Sequence, residues 1–203
     1  QHHLHKIVAI SVVVQGNDWV KVWSLGEEND SEAQLIERFF SGLDKYTPTL
    51  VSWNGGGFDL PVLHYRAMLH GVVAKKYWDT GEFDQSFKWN NYISRYHKRH
   101  IDLMDVLAGF QMRANAPLDE MAQMLGFPGK MGIAGSQVSD KFLNGKIKEI
   151  RDYCETDVLN TYLVFLRFLL MQGNLTHDEF ETECNLLKEC LSINNDKEHF
   201  SKY

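Results

Sequence analysis

The sequence is poor in cysteine, has no excess of positive charge and contains no long apolar run. Its three cysteines lack zinc-ligand spacing, so a reducing, cytoplasmic setting is predicted. The formal net charge of −6 leaves no broad basic surface of the kind that non-specific nucleic-acid binders carry. No apolar run reaches the roughly 18 residues that a membrane-spanning helix needs, so no membrane partner is expected.

An acidic composition does not exclude a nucleic-acid substrate. A metal site lined with carboxylates is itself acidic, and bound cations reverse the local field. With 203 residues, 44% of them hydrophobic, the chain can bury a substantial core. We predict one domain over residues 1–191 and a polar, frayed tail over residues 192–203.

Periodicity predicts strands near the start of the chain and helices towards its end. The predicted strands are a hairpin of Ile7–Val14 with Trp19–Leu25, Thr49–Trp53, and His100–Val106, which leads into a helix. The predicted helices are Glu32–Lys45, Leu60–His70, Pro117–Leu125, Val138–Leu143, Lys146–Met171 and Thr176–Leu191. This order is typical of an α/β layered domain with a C-terminal helical layer.

A run of three glycines follows the third predicted strand, in the string Asn54-Gly55-Gly56-Gly57-Phe58-Asp59 before a helix. Glycines at this point indicate tight geometry or the close approach of a ligand. Asn54 could contact a nucleotide, Phe58 could wedge against a terminal base, and Asp59 could ligate a metal. The alternative is a tight strand-to-helix turn with Asp59 as a helix cap. A phosphate-cradling loop is a weaker alternative because the spacing of such motifs is missing.

Tyr153 and Asp157 are four residues apart in a strongly helical segment, so both side chains lie on one helix face. Asp157 could ligate a cation while the Tyr153 hydroxyl orients an attacking water. An unperturbed tyrosine, with a pKa of about 10, is a poor base at neutral pH, so positioning is the better role. The alternative is a core tyrosine beside a solvated aspartate. The order of the two motifs, glycine loop first, favours the functional interpretation.

The segment Trp89–Arg99 combines aromatic and basic residues. Aromatic rings stack on unpaired bases for about 1–3 kcal/mol each, and cations follow phosphates. We therefore predict substrate contacts from Trp89, Asn90, Tyr92 and Arg95. The alternative is a loop whose aromatics pack on the domain itself. The loop Gly126–Gly135, which carries Lys130, is either a second backbone contact or a plain loop.

Two further acidic groups could substitute for missing metal ligands. Asp30-Ser31-Glu32 has the form Asp-x-Glu, but it stands at a helix start, where all three residues are good cap or first-turn residues. Asp102 and Asp105, beside His100, lie nearer the predicted sheet. A helix-capping or supporting role is expected for them.

The chain resembles the bacterial family of predicted 3′-5′ exonucleases related to the proofreading domain of family-B DNA polymerases in four strings, LVSWNGGGFDLPVLHYRA, KWNNYISRYH, HIDLMDVL and IRDYCETDVLNTYLVFLRF. The likeness extends from about His5 to Met171. It implies a ribonuclease H-like fold, a mixed sheet flanked by helices, and a DEDD-type nuclease of the tyrosine subclass.

By that resemblance, Asp59 matches the second acidic position, Asp157 the third, and Tyr153 the tyrosine of the subclass. Two divalent ions, Mg²⁺ or Mn²⁺, are implied. The family's first strand, which bears an Asp-x-Glu pair, is absent from these 203 residues. We therefore expect this polypeptide to be impaired or inactive as a nuclease without that motif.

The resemblance implies a 3′-5′ exonuclease that acts on single-stranded DNA ends, RNA not being excluded, by two-metal-ion hydrolysis that releases nucleoside monophosphates. Two rival hypotheses remain. One is a non-catalytic nucleic-acid-binding module of the same fold, and the other is a nucleotide-binding protein that uses the glycine loop.

Overall fold

The computed structural model describes residues 1–130, 135–194, 197–201 and 203. Within these residues the chain is a mixed α/β protein of short strands and seven α-helices. The strands are β1 (Ser11–Gln15), β2 (Val20–Ser24), β3 (Leu50–Ser52) and β4 (His100–Asp102). The helices are α1 (Glu32–Tyr46), α2 (Asp59–His70), α3 (Leu103–Leu107), α4 (Leu118–Met124), α5 (Val138–Leu143), α6 (Ile147–Met171) and α7 (His177–Ile193).

The helix ends follow the sequence signals closely. Ser31 forms a capping box with Gln34 at the start of α1, so Ser31 is the cap of the Asp30-Ser31-Glu32 string. Thr176 and Glu179 form the same arrangement at the start of α7. Gly71, with φ of 66°, ends α2 in the left-handed conformation that glycine adopts without strain.

The chain divides into two compact units by its internal contacts. Unit 1 comprises Gln1–Ile10 and Leu25–Asn115. Here β3 pairs with β4 in parallel, and Ser52 lies opposite Asp102. Helices α1 and α2 pack together. The core consists of apolar and aromatic residues, with Ile36, Phe40, Leu63, Tyr77, Phe87 and Tyr92 among its members.

Unit 2 comprises Ser11–Ser24 and Ala116–Tyr203. Strands β1 and β2 pair antiparallel as the predicted hairpin, with Ser11 opposite Ser24, but each strand is shorter than predicted. The long helix α6 packs against both strands and against α4, α5 and α7. The core combines Val20 and Val22 of β2 with Leu159, Leu163 and Leu166 of α6, Leu187 and Leu191 of α7, and Phe200.

The tail predicted to be frayed packs against its unit where it is described. Phe200 is buried in the core, and the Tyr203 hydroxyl donates a hydrogen bond to the Thr156 carbonyl over 3.0 Å. Lys197 and His199 contact the Glu155 carboxylate. The prediction counted polar residues and missed that Glu155, buried in α6, needs such partners.

Other predictions on organisation have different outcomes. The single domain over residues 1–191 stays a prediction. Residues 131–134 of the predicted loop Gly126–Gly135 lie outside the described part of the chain. No helix in that described part combines the length and apolar character needed to cross a bilayer.

Candidate functional site

The glycine loop joins β3 to α2 in unit 1 and is held by Asp102. The two strands pair in parallel with Ser52 opposite Asp102, so the end of β4 lies beside the loop. The Asn54 and Gly56 amides each donate a hydrogen bond of 2.8 Å to the Asp102 carboxylate, one to each oxygen. The neighbouring Ser52 hydroxyl and His100 ring nitrogen are 2.8 Å apart. Asp102 therefore supports the loop, as expected for a supporting residue.

The glycines are required by the tightness of this turn. A Cβ atom on Gly55 would clash with the Ser52 side chain, and one on Gly57 would clash with the Asn54 side chain. Asn54 itself has φ of 61°, a conformation that asparagine tolerates better than most residues. The tight strand-to-helix turn is thus confirmed, and a nucleotide contact from Asn54 stays a prediction.

The loop does not present a phosphate cradle. Such a cradle needs backbone N–H groups directed at the ligand. The Gly57 and Phe58 amides donate to the Asn54 carbonyl, and the Asn54 and Gly56 amides donate to Asp102. These four donors are already satisfied, which weighs against the nucleotide-binding alternative.

Phe58 and Asp59 form the junction between the loop and α2. Phe58, not Asp59, occupies the N-cap position, so the interpretation of Asp59 as a helix cap is wrong. The Asp59 carboxylate lies in the first turn of α2, where the helix dipole favours a negative charge, and the residue is exposed. The Phe58 ring is 40% exposed and packs edge-on against the rings of His2 and His5.

In unit 2, α6 places Tyr153 and Asp157 one turn apart with their side chains in contact. The Tyr153 hydroxyl hydrogen-bonds the Asp157 carboxylate, and Tyr153 is only 9% exposed. Burial and the neighbouring Asp157 charge both raise the pKa of Tyr153 above its ordinary value. The phenol therefore stays protonated and acts as a donor, which excludes a role as general base at neutral pH.

The Asp157 carboxylate is incompletely satisfied. The residue is half-buried, and its Oδ1 atom is buried with no hydrogen-bond partner among the described residues. Burial raises the pKa of Asp157, while the Tyr153 hydrogen bond and the Lys130 charge act in the opposite direction and Asp119 adds to the increase. A buried carboxylate oxygen without a donor is costly unless a cation or proton completes it.

Asp157 therefore fits a divalent metal, since Mg²⁺ and Mn²⁺ prefer carboxylate oxygens. The exposed Asp59 carboxylate has the same donor chemistry. Each residue thus suits the ligand role that the sequence predicted for it. The two carboxylates belong to different compact units.

Two residues around Asp157 were missed by sequence reasoning. Asp119, in the first turn of α4, accepts a hydrogen bond from Gln123 and affects the pKa of both Tyr153 and Asp157. Asn160 clamps the loop after α4: its Oδ1 accepts from the Gly129 amide over 3.2 Å, and its Nδ2 donates to the Gly129 carbonyl over 2.8 Å. These contacts join segments that are distant in the chain, so no local pattern indicates them.

The aromatic segment in unit 1 divides into exposed and buried members. Trp89 is 79% exposed, with the Lys88 ammonium 5.6 Å from its ring centroid. Arg95 is exposed and pairs with Asp105 over 2.8 Å, so Asp105 serves an ion pair. These two predicted contacts remain accessible.

Tyr92 requires a correction. It is 1% exposed, its ring stacks on Tyr77 at a centroid distance of 5.6 Å, and its hydroxyl donates to the Pro48 carbonyl over 2.6 Å. A ring enclosed in this way cannot stack on a base, so the packing alternative holds for Tyr92. Asn90 accepts a hydrogen bond from Arg99 at its backbone carbonyl, and its buried Oδ1 has no partner in the described chain.

The Asp30-Ser31-Glu32 string is not a substitute metal site. Glu32 is buried and forms ion pairs with Arg66 and His70 while it accepts from the Ile7 amide. Burial alone would raise the pKa of Glu32, but these hydrogen bonds outweigh it and lower the pKa to about 2. Asp30 pairs with Arg38 over 3.1 Å.

A second acidic group lies on α6, where Asp152, Glu155 and His199 bring ligand atoms within 4.8 Å of one another. The Lys197 ammonium contacts both Glu155 oxygens at 2.8 and 2.9 Å, and the Ser24 hydroxyl donates over 3.0 Å. Because a cation from the chain already neutralises Glu155, we interpret the group as an ion-pair network.

These features define an α/β domain with acidic side chains and motif order of a nuclease type. A family model described as "predicted 3′-5′ exonuclease related to the exonuclease domain of PolB" matches residues 1–203. The chain belongs to this family.

A curated relative agrees with this assignment. The chain is 22% identical over 152 residues to the catalytic polypeptide of DNA polymerase epsilon from Saccharomyces cerevisiae. The match covers 72% of this chain and 6% of that protein, so the chain spans a small part of its relative's length.

Proposed function

We propose that this chain is a ribonuclease H-like 3′-5′ exonuclease domain that acts on single-stranded DNA ends, RNA not being excluded, and releases nucleoside monophosphates by two-metal-ion hydrolysis. The family describes exonucleases, which supports the reaction class. The observation that carries the proposal is the Asp157 carboxylate: its buried Oδ1 lacks a partner among the described residues, and the Tyr153 hydroxyl donates to it.

In this proposal, Asp59 and Asp157 would hold Mg²⁺ or Mn²⁺. A divalent cation, when bound, supplies Lewis-acid stabilisation of the charge that develops on the scissile phosphate. Neither carboxylate acts as a proton donor in the proposal. Each contributes fixed negative charge, Asp59 from an exposed helix start and Asp157 from a half-buried helix face.

The remaining residues orient the substrate. The Tyr153 hydroxyl stays protonated, so it can hold both the Asp157 carboxylate and the attacking water by hydrogen bonds. Trp89 offers an exposed ring to an unpaired base, and Arg95 offers a cation to a phosphate. Asn54, Phe58 and Asn90 are proposed as further substrate contacts.

The experiment is a release assay on single-stranded DNA labelled at its 3′ end, with the natural polypeptide that contains these residues. We expect mononucleotide release that requires Mg²⁺ or Mn²⁺ and stops with EDTA. Asp59→Asn and Asp157→Asn should each abolish release, because both charges serve the same reaction. Asp18→Asn, a change of an exposed turn residue, is the matched control and should leave the rate unchanged.

Two outcomes separate the alternatives. Binding of DNA ends without cleavage, unaffected by metal, would favour the non-catalytic module. Full activity in both aspartate variants would refute the assignment of Asp59 and Asp157.

A further inference from the structure

Unit 2 contains a cavity that the proposed reaction does not use. Its volume is about 860 Å³, within the range of about 300–1,000 Å³ typical of small-molecule sites. The cavity lies among the loop after α4, the middle of α6, the first half of α7, and Tyr203. Residues that carry charge or an aromatic ring in its wall include Phe127, Lys130, Arg167, Phe180, Lys188 and Tyr203.

The wall of this cavity is basic in a chain that is acidic. It contains three cations, Lys130, Arg167 and Lys188, against one carboxylate, Glu181. The whole chain has a formal net charge of −6. A local excess of positive charge in a concave site favours an anionic ligand.

Arg167 is the least satisfied cation of the described chain in this cavity. Its guanidinium lies 4.6 Å from the centroid of the Phe180 ring and 5.8 Å from that of Phe127. Its Nε atom is buried without a hydrogen-bond partner, and no carboxylate of the described residues forms an ion pair with it. An arginine has five N–H donors and matches phosphate geometry, so an oxyanion would complete it.

The same wall supplies flat apolar surfaces. Phe127, Phe180 and Tyr203 are half-buried, and the Tyr203 ring is fixed by the hydrogen bond of its hydroxyl to the Thr156 carbonyl. Aromatic rings of this kind stack on nucleobases. An arginine for the phosphate and rings for the base are the combination that a nucleotide requires.

We infer that this cavity is a nucleotide-binding site in which Arg167 binds the phosphate. The ligand is either a free nucleoside monophosphate or a nucleotide within a single strand, and both carry the same phosphate and base. The choice of a nucleotide rests on the proposed function. Lys130 links the cavity to the candidate site, because its charge also lowers the pKa of Asp157.

The test measures equilibrium binding of inorganic phosphate, dAMP and a short oligothymidylate by calorimetry in EDTA, where no hydrolysis takes place. Arg167→Gln should weaken binding at least about tenfold, because a charge-assisted hydrogen bond contributes roughly 1.5–3 kcal/mol. Arg167→Lys should retain part of the affinity, since it keeps the charge and loses the planar fork. Arg113→Gln, a change of an exposed arginine in unit 1, is the control.

The three ligands distinguish the source. Binding of dAMP and phosphate indicates a free nucleotide, and binding of the oligonucleotide alone indicates a strand. If Arg167→Gln does not fold, Lys130→Gln and Lys188→Gln examine the same cavity from exposed positions and should each weaken binding several-fold. Absence of binding in the wild-type chain, or equal binding in the Arg167, Lys130 and Lys188 variants, would overturn the inference.

Failure of the proposed function gives a different result. A chain that shows no metal-dependent release of mononucleotides, but binds dAMP through Arg167, retains this site and loses the nuclease assignment. A chain that cleaves DNA with an unaltered rate and affinity in Arg167→Gln retains the nuclease assignment and loses this site.

Discussion

The contact between Tyr153 and Asp157 shows how a single helical turn can combine a raised pKa with an unsatisfied carboxylate. The tyrosine is kept neutral by burial and by the adjacent negative charge. The aspartate remains one hydrogen bond short in the described chain. A neutral donor beside an incomplete acceptor suits orientation rather than proton transfer.

Substituting Tyr153 by phenylalanine tests this role. The ring and its packing stay, and only the hydroxyl is lost. We expect kcat for mononucleotide release to fall about 10- to 1000-fold, a barrier increase of about 1.4 to 4 kcal/mol, with metal affinity near wild type. Tyr162→Phe is a closely matched control, because Tyr162 is buried on the same helix and donates to Glu183 over 3.2 Å. Equal effects from both variants would mean that Tyr153 only supports the fold.

Asp157 itself should lower the stability of the metal-free protein. Burial raises its pKa, so the charged form is disfavoured in the folded state above that raised pKa. Asp157→Asn should therefore raise the melting temperature in EDTA at neutral pH, by about 2–4 °C for each kcal/mol gained. The gain should shrink as the pH falls through the folded pKa towards the ordinary carboxyl value, because wild-type Asp157 then becomes protonated. Melting curves across the acidic to neutral range measure this; a gain that grows on acidification would contradict the burial argument.

Trp89 and Tyr92 should separate binding from folding. Trp89→Ala removes an exposed ring, so oligonucleotide affinity should fall about 5- to 150-fold, equivalent to about 1–3 kcal/mol, without a change in melting temperature. Tyr92→Ala removes a buried ring, so it should cost about 3–5 kcal/mol of stability and leave the affinity of the folded fraction unchanged. Fluorescence titration and thermal melts compare the two; loss of stability from Trp89→Ala would place that ring in the core.

At the level of elements, α6 organises unit 2 and also anchors the segment from Lys197 to Tyr203. The anchor is the Glu155 carboxylate, which accepts hydrogen bonds from Ser24 on β2 and from Lys197 and His199. Burial opposes ionisation of Glu155, but these partners outweigh it and lower its pKa to about 2. A lowered pKa means that the contact stabilises the fold above pH about 4.5 and loses this effect as the pH falls towards 2.

Glu155→Gln should therefore release this segment. Removing one member of a buried charged group leaves the Lys197 ammonium without its counter-ion, which is strongly destabilising. Hydrogen exchange of the peptide that contains Phe200 should accelerate at neutral pH, and the wild type should show the same acceleration only below about pH 4.5. Glu198→Gln, an exposed change in the same segment, is the control. Unchanged protection in Glu155→Gln would show that Phe200 alone holds the segment.

The sequence predicted most elements because their signals are local. Ser31, Thr176 and Gly71 mark helix ends within a few residues of where the structure has them. The candidate functional residues were recognised where the motif is also local, as for Tyr153 and Asp157. Contacts that join distant segments could not be read in this way. Asp119 near Asp157 and Lys197 with Glu155 depend on how helices pack, which no short pattern encodes.

For the whole molecule, the net charge of −6 limits how a nucleic acid can bind. In place of a broad basic surface, the proposal uses a few cations near Trp89, namely Lys88, Arg95 and Lys98. Each phosphate contact to a single strand contributes a slope of about −0.7 to the dependence of log K on log salt. Two or three contacts predict a slope of about −1.4 to −2.1 for oligothymidylate binding in EDTA. If Arg167 also contacts a strand phosphate, Arg167→Gln should reduce the slope by about 0.7. A wild-type slope steeper than about −4 would require a basic surface that these residues do not supply, and the strand would then bind elsewhere.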